Sequence, residues 1–344
     1  MLNKFNRLSK GDTIGIVTPS AAGNVFLKQK FLQGIQAIQN IGLKVELGVL
    51  TKQMIAKDGY RLGNGKERAE EFNLLYKNDA IKGIICSIGG NNSASILPYL
   101  DYDYIRANPK LVCGYSDITA LHCALMTKGN LQTLYGCAVI PSFGEYPQPM
   151  KYTLDTFNIQ TGISKVQFPK KFHPPKEYTN QFIDATKNGW KQVKRKYTTN
   201  EGWKTTQEGV AEGELIIMNQ NTLLSLAGTM YFPDFKNKIL ILEQMESSIP
   251  MEERQLNHLR TLGVFENLSG LIFSKFEKLS IGNSTLNHVD LINEFVNCKP
   301  TIPIITNFDC GHTYPMLSLP QLVKVQLKAT KNAVSFTQLE AAYK

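Results

Sequence analysis

Gly114-Tyr115-Ser116-Asp117-Ile118-Thr119 follows a short apolar run, Leu111-Val112-Cys113, and opens a helix-like run from Asp117 to Thr127. A serine at a sharp strand-to-helix turn has its hydroxyl pushed clear of the backbone. The amides that follow sit at a helix N-terminus, where they can stabilise an oxyanion. The same residue types also serve as plain helix caps. A serine nucleophile needs a base, and the base needs an orienting carboxylate. Of the five histidines, His122, His258 and His288 lie in helical stretches and His173 precedes two prolines. His312 differs, because it sits in a Gly- and Pro-bounded loop, Asp309-Cys310-Gly311-His312-Thr313-Tyr314-Pro315, just after the apolar run Ile302 to Thr306. For the carboxylate, Glu243 ends the apolar run Ile239-Leu240-Ile241-Leu242, and Glu246 competes with it. The order Ser116, Glu243, His312 is that of α/β-hydrolases, but Ile118 stands where the G-x-S-x-G elbow has its second glycine.

The elements that must position these residues alternate between strand and helix. Strands are predicted at Thr13 to Thr18, Lys44 to Leu50, Ile81 to Ile88 and Leu111 to Cys113. Helical spacing covers Val25 to Ile41, Lys66 to Lys77 and Ser93 to Leu100. This is the pattern of a parallel, doubly wound α/β sheet, whose ligands bind beyond the carboxyl ends of the strands. The loops after Val17, Ile88 and Gly114 are therefore expected to share one edge. From Pro141 to about Gly209 prolines, lysines and polar residues dominate, and both tryptophans, Trp190 and Trp203, fall here. The expected division is an N-terminal Rossmann-like domain over 1–165 carrying the nucleophile, a linker or active-site loop over 166–209, and a smaller β-rich α/β domain over 210–344 carrying Glu243 and His312. Leu322 to Phe336 alternates like a final hairpin.

The apolar fraction of 42% supplies sizeable cores and argues against disorder. The net charge of +9 is spread along the chain, apart from a cluster at Lys187, Lys191, Lys194, Arg195 and Lys196. No nucleic-acid motif accompanies that cluster, so nucleic acid is not an expected partner. The six cysteines, Cys86, Cys113, Cys123, Cys137, Cys298 and Cys310, form no C-x-x-C pair and read as reduced thiols, neither disulfides nor a metal site. Met1 to Lys10 lacks the apolar segment of a signal peptide, and no apolar run is long enough for a bilayer. A cytoplasmic protein without a membrane partner is the expectation.

Asp58-Gly59-Tyr60-Arg61-Leu62-Gly63, Lys66-Glu67-Arg68-Ala69, Ser87-Ile88-Gly89-Gly90, Gly114-Tyr115-Ser116-Asp117-Ile118-Thr119-Ala120-Leu121-His122 and Gly311-His312 resemble, in order, the LD-carboxypeptidase family of serine peptidases. The resemblance implies a Ser-Glu-His triad of Ser116, Glu243 and His312 at a domain junction, oxyanion donors from the backbones of Gly90 and Asp117, and a homodimer. It implies no metal and no organic cofactor. The family has two main branches. One trims terminal D-alanine from murein tetrapeptides. The other, the microcin C immunity branch, hydrolyses the amide between an aspartyl carboxyl and a modified nucleotide, giving self-immunity or detoxification. The long middle segment with two tryptophans resembles the second branch, as does Gly90-Asn91-Asn92, where the murein branch reads Gly-Gly-Tyr-Gly. The substrate expected is a peptidyl- or aminoacyl-nucleotide, with murein tetrapeptide as the alternative. Trp190, as a base-stacking indole, Asn219 and Asn91 are the candidate substrate contacts. Ile217-Met218 stand before Asn219 where the family often has Gly-Gly. A non-enzymatic Rossmann binding module and a nucleic-acid-binding protein are the competing classes; the first does not explain a Ser, a Glu and a His each at the end of a strand, and the second calls for clustered basic residues with interleaved aromatics, which the sequence shows only weakly at Lys187 to Trp203.

Overall fold

The protein is described from a computed structural model that covers residues 3–296 and 302–344; Cys298 lies outside them. Two sheets organise the chain. In the first, β1 (Thr13–Val17), β2 (Lys44–Leu47), β3 (Ile81–Cys86), β4 (Leu111–Gly114) and β5 (Leu134–Tyr135) run parallel in the order β2-β1-β3-β4-β5. Helices cover both faces, which is why β4 and all of β3 except Lys82 are buried.

The second sheet is larger than the sequence pattern suggests. The chain first supplies β6 (Lys170–Phe172), a small ribbon of β7 (Glu177–Tyr178) and β8 (Thr198–Thr199), and then β9 (Lys204–Gln207). A parallel core follows, built of β10 (Gly209–Asn219), β11 (Lys238–Glu243), β13 (Gly270–Ser274) and β15 (Ile304–Phe308). The predicted terminal hairpin is β17 (Lys324–Thr330) and β18 (Ala333–Gln338). The eight strands lie in the order β6-β18-β17-β10-β11-β13-β15-β9. Two further strands, β12 (Glu246–Ser248) and β14 (Lys278–Ser280), pair beyond the end of β11, and β16 (Leu319–Pro320) returns to the first sheet beside β5.

The segment from Pro141 to Gly209 thus holds more order than its composition indicates. Lys151–Thr161 is a helix although it carries three threonines and an isoleucine, residues of modest helix propensity. Burial of Thr153, Thr156, Phe157 and Gln160 overrides that preference. β6 and β9 join opposite edges of the second sheet, where pairing with β18 and β15 satisfies their backbone groups.

The two sheets share a core. In the helix Thr119–Thr127 every residue from Thr119 to Met126 is buried, as expected for a helix that is apolar all round. One face packs under the first sheet. Another meets the second, where Cys123 Sγ lies 3.4 Å from Met218 Sδ and Asn219 N–H donates to Thr119 Oγ1 at 3.0 Å. The ends of β4 and β10 are thereby brought together, and the functional residues lie around that junction. Among the described residues no helix is long and apolar enough to cross a membrane, and Cys86, Cys113, Cys123, Cys137 and Cys310 are free, buried thiols.

Candidate active site

Ser116 sits at the turn between β4 and a 3-10 segment, Ser116–Ile118, that leads into the buried helix. Its φ of +65° is unusual for a non-glycine residue. The turn is held from three sides. Ser116 N–H donates to Tyr135 Oη at 3.0 Å. His122 Nε2 lies 2.9 Å from the Gly114 carbonyl and its Nδ1 2.8 Å from Thr133 Oγ1. Burial lowers the His122 pKa to about 4, so the ring is neutral and acts as a fixed brace. Gly89 packs against Ser116: a Cβ there would stand 2.8 Å from Ser116 Cβ and 3.0 Å from its Oγ. A side chain at position 89 would occupy the space in front of the hydroxyl.

Across the domain junction, His312 Nε2 is 3.0 Å from Ser116 Oγ, and its Nδ1 is 2.6 Å from Glu243 Oε2. Both His312 and Glu243 are buried. The carboxylate is clamped further by Tyr135 Oη–H at 2.5 Å and Asn219 Nδ2–H at 2.9 Å, both on Oε1. Burial alone would depress the His312 pKa, but the charge and hydrogen bond of Glu243, with a contribution from Glu277, outweigh it, and the pKa is raised above 6.5. Gly311 has φ +110°, and a Cβ there would collide with the Glu243 carboxyl group, so the loop carrying His312 needs a glycine at that point. Between Glu243 and Glu246 the geometry is decisive: Glu246 is exposed and does not bond His312.

The expected shared edge forms. Asp117 Oδ2 accepts from Ser20 Oγ–H at 2.5 Å, Asn92 N–H at 3.0 Å and Ser93 N–H at 2.8 Å, while Ala21 N–H donates to the Gly89 carbonyl at 3.2 Å. Arg68, fully buried, adds bonds to the Pro19 carbonyl, Asn92 and Ser95. The loops after β1, β3 and β4 are thus one rigid unit. Among the described residues, neither the Gly90 nor the Asp117 backbone N–H has a protein acceptor. Both flank Ser116, Gly90 from the loop after β3 and Asp117 as its own neighbour.

A cleft of about 340 Å³ opens on Ser116, lined by Gly90 and Asn91 on one wall and by Asn219, Gln244 and Glu246 on the other. Asn91 is exposed at its rim. The Asn219 side chain is engaged inside the protein, through Glu243 and through Thr222 N–H at 3.1 Å on its Oδ1. Trp190 is not in this cleft. It is buried in the middle segment, edge-on to Tyr146, with Lys30 5.7 Å and Lys191 5.6 Å from the ring centroid. Its connection to the site runs through Glu145, which holds Arg195 in a bidentate pair at 2.6 and 2.8 Å; Arg195 in turn lies over the Tyr314 ring, two residues from His312. Tyr135, Asp117 as a carboxylate, and Glu277 were not singled out by residue type. Only Tyr135 carried a signal, as an aromatic at the end of a strand next to the one that leads to Ser116.

Comparison with known proteins identifies the family. Residues 14–136 match the LD-carboxypeptidase N-terminal domain and residues 212–327 the LD-carboxypeptidase C-terminal domain. The microcin C7 self-immunity protein of Escherichia coli is 37% identical over 96% of this chain and 94% of its own. A probable murein peptide carboxypeptidase of Bacillus subtilis is 27% identical over 96% and 93%. The structure of the microcin C7 self-immunity protein in complex with aspartyl sulfamoyl adenosine superposes with a TM-score of 0.91 at 35% identity, covering 99% of this chain and 100% of that one. The same protein has been solved with glutamyl sulfamoyl guanosine and as an active-site variant in which a serine, an asparagine and a lysine are each replaced by alanine. Fold and both family domains agree: the chain is an enzyme that belongs to the LD-carboxypeptidase family of serine peptidases.

Proposed function

We propose that the enzyme hydrolyses the amide of an aminoacyl- or peptidyl-nucleotide, with Ser116 as nucleophile, His312 as general base and Glu243 as its orienting acid. The observation that carries this reading is the continuous relay from Ser116 Oγ to His312 (3.0 Å) to Glu243 (2.6 Å), beside two unpartnered backbone N–H groups. Ser116 Oγ attacks the acyl carbon while its proton passes to His312 Nε2. The Gly90 and Asp117 amides receive the developing oxyanion; one such donor contributes about 3 kcal/mol. The acyl C–N bond then breaks, and His312 returns the proton to the leaving nitrogen. Water, deprotonated by His312, attacks the acyl-serine and releases the acid and Ser116. Glu243 keeps Nδ1 protonated throughout and stabilises the imidazolium. The triad needs no metal or organic cofactor for any of these steps.

The nucleotide reading draws on the sulfamoyl nucleoside complexes of the similar microcin C7 self-immunity protein. The leaving group would lie toward Tyr314, Arg195 and Trp190, with the acyl group in the cleft bounded by Asn91, Asn219 and Glu246. The enzyme would act in the cytoplasm as a homodimer, conferring self-immunity or detoxification. A side-by-side assay tests the reading. Release of sulfamoyl adenosine from an aminoacyl conjugate supports it. Cleavage of L-Ala-D-Glu-diamino acid-D-Ala alone would assign the enzyme to murein recycling, the reading favoured by its similarity to the Bacillus subtilis carboxypeptidase.

A further inference from the structure

The loop after β3 and the turn at Ser116 are fastened to each other by one side chain. Asp117 stands in the first turn of its helical segment, where an aspartate ordinarily caps its own helix. Among the described residues, its carboxylate accepts from no N–H of that segment. Its Oδ2 accepts instead from Asn92 N–H at 3.0 Å and Ser93 N–H at 2.8 Å, in the loop after β3, and from Ser20 Oγ–H at 2.5 Å, in the loop after β1. The Asp117 carbonyl accepts from Ser93 Oγ–H at 2.6 Å, so both ends of the residue grip the same loop. Asp117 is 6% exposed and Ser20 is fully buried. Arg68 holds the loop from its other side, through Nη1–H to Asn92 Oδ1 at 2.6 Å.

What this loop carries is Gly90. A Cβ on Gly89 would stand 3.0 Å from Ser116 Oγ and 3.2 Å from Asp117 N, so Gly89 closes directly over the hydroxyl and the Asp117 amide, and the next amide in the chain is that of Gly90. On the far side, Gly90 has φ +149°, and a Cβ there would stand 2.5 Å from Ser20 Oγ and 2.8 Å from Ala21 N. The loop after β1 is therefore packed against it with no room for a side chain. Gly90 and Ser116 both line the cleft. A Gly-Asn-Asn loop left to itself would sample many conformations. Donors stabilise an oxyanion best when they are fixed before it forms, and hydrogen bonds to a carboxylate are among the strong ones.

We propose that the Asp117 side chain, with Ser20 behind it, is a positioning group for the oxyanion hole: Asp117 supplies one donor through its own backbone and, through its carboxylate, holds the loop of the second donor, Gly90 N–H, in place. This rests on amide hydrolysis at Ser116 as proposed above. In this role the carboxylate touches no reacting atom and moves no proton; it acts through the loop.

The test compares Asp117→Ala, Asp117→Asn and Ser20→Ala with the wild type, using alanyl sulfamoyl adenosine as substrate and 1-aminoethylboronic acid as a mimic of the tetrahedral intermediate. The boron of that acid accepts Ser116 Oγ, and one of its hydroxyls takes the place of the oxyanion. Loss of one oxyanion donor costs about 10²- to 10³-fold in kcat, and Asp117→Ala should approach that loss. An interaction made only in the transition state leaves KM within about three-fold of the wild type. Asp117→Asn keeps an acceptor without the charge and should recover about ten-fold of the loss. Ser20→Ala should lose less than Asp117→Ala. The boronate Ki should rise in step with each fall in kcat, while the pH midpoint of kcat/KM, set by His312, stays at its wild-type value. If Asp117→Ala does not fold, Asp117→Asn and Ser20→Ala carry the same comparison. Variants with wild-type kcat and boronate affinity, losses confined to KM, or a shifted pH midpoint overturn the inference with amide hydrolysis intact. A wild type that cleaves only a murein tetrapeptide overturns the nucleotide leaving group, and the same variants then judge the oxyanion hole on that peptide. A wild type that cleaves neither substrate and binds no boronate overturns both.

Discussion

Tyr135 donates its hydroxyl to Glu243 at 2.5 Å, and the same oxygen accepts the Ser116 N–H at 3.0 Å. One phenol therefore ties the Glu243 carboxylate to the backbone of Ser116, across the boundary between the sheets. Burial and the adjacent carboxylate hold its pKa far above the ordinary tyrosine value, so it remains a donor throughout the working pH range. A hydrogen bond to a charged group contributes about 1.5–3 kcal/mol. Tyr135→Phe should therefore lower kcat by roughly ten- to a hundred-fold, with KM nearly constant and a folded circular dichroism spectrum. A fall confined to KM would place Tyr135 in substrate binding instead.

Ser116→Ala and His312→Ala should each lower amide hydrolysis by several orders of magnitude, and the double variant should lose little more than either single one, because triad members act as a unit. Steady-state kinetics on one sulfamoyl adenosine conjugate settles this. Retention of more than about a tenth of wild-type turnover by Ser116→Ala would exclude it as nucleophile.

Glu243→Gln should be far more damaging than Glu246→Gln when both are assayed on the same aminoacyl conjugate. Only Glu243 reaches His312, at 2.6 Å. The reverse ranking would move the orienting role to Glu246.

The pH profile has a definite sign. His312 must be neutral to accept the Ser116 proton, and its pKa in the folded protein is raised above 6.5. kcat/KM should rise with pH through a midpoint above 6.5 and fall away below it. Glu277 contributes to the elevation, so Glu277→Gln should move the midpoint to lower pH. An unmoved midpoint would mean that Glu277 has no electrostatic hold on the base.

Trp190→Ala separates a stacking role from a packing role. Base stacking on an aromatic contributes roughly 1–3 kcal/mol, so a KM increase of roughly ten- to a hundred-fold, confined to nucleoside conjugates, would mark a ligand contact. Equal losses on a nucleoside conjugate and a tetrapeptide would mark support of the segment, as its burial against Tyr146 and Lys30 allows.

What the sequence made legible was whatever local pattern dictates. Gly114 to Thr119 announced a strand ending in a helix start, and the structure places Ser116 there at positive φ. Asp309 to Pro315 announced a loop after a strand, and His312 occupies it. Less legible were features set by distant contacts. Asp117 reads locally as a helix-start acid, yet its carboxylate serves Ser20, Asn92 and Ser93. Glu277 lies in an unremarkable charged stretch, and only its N–H bond to the Met245 carbonyl, next to the β12–β14 pairing, sets it beside a segment that lines the cleft. The helix Lys151–Thr161 was hidden by threonines whose hydroxyls and methyls are buried. Trp190 could be marked as an aromatic of interest, but whether it faced a ligand or a neighbour depended on Tyr146 and Lys30.

The junction across which Ser116, His312 and Glu243 meet also bears on when the proposed activity can appear. The first sheet, complete except for β16, and Ser116 belong to the first 135 residues, while the acid and the base arrive with β11 and with the loop after β15. A growing or half-folded chain therefore displays its serine without a base to activate it. Reactivity of Ser116 toward an acylating probe should appear only when nearly the whole chain has been made and the second sheet has docked on the helix Thr119–Thr127.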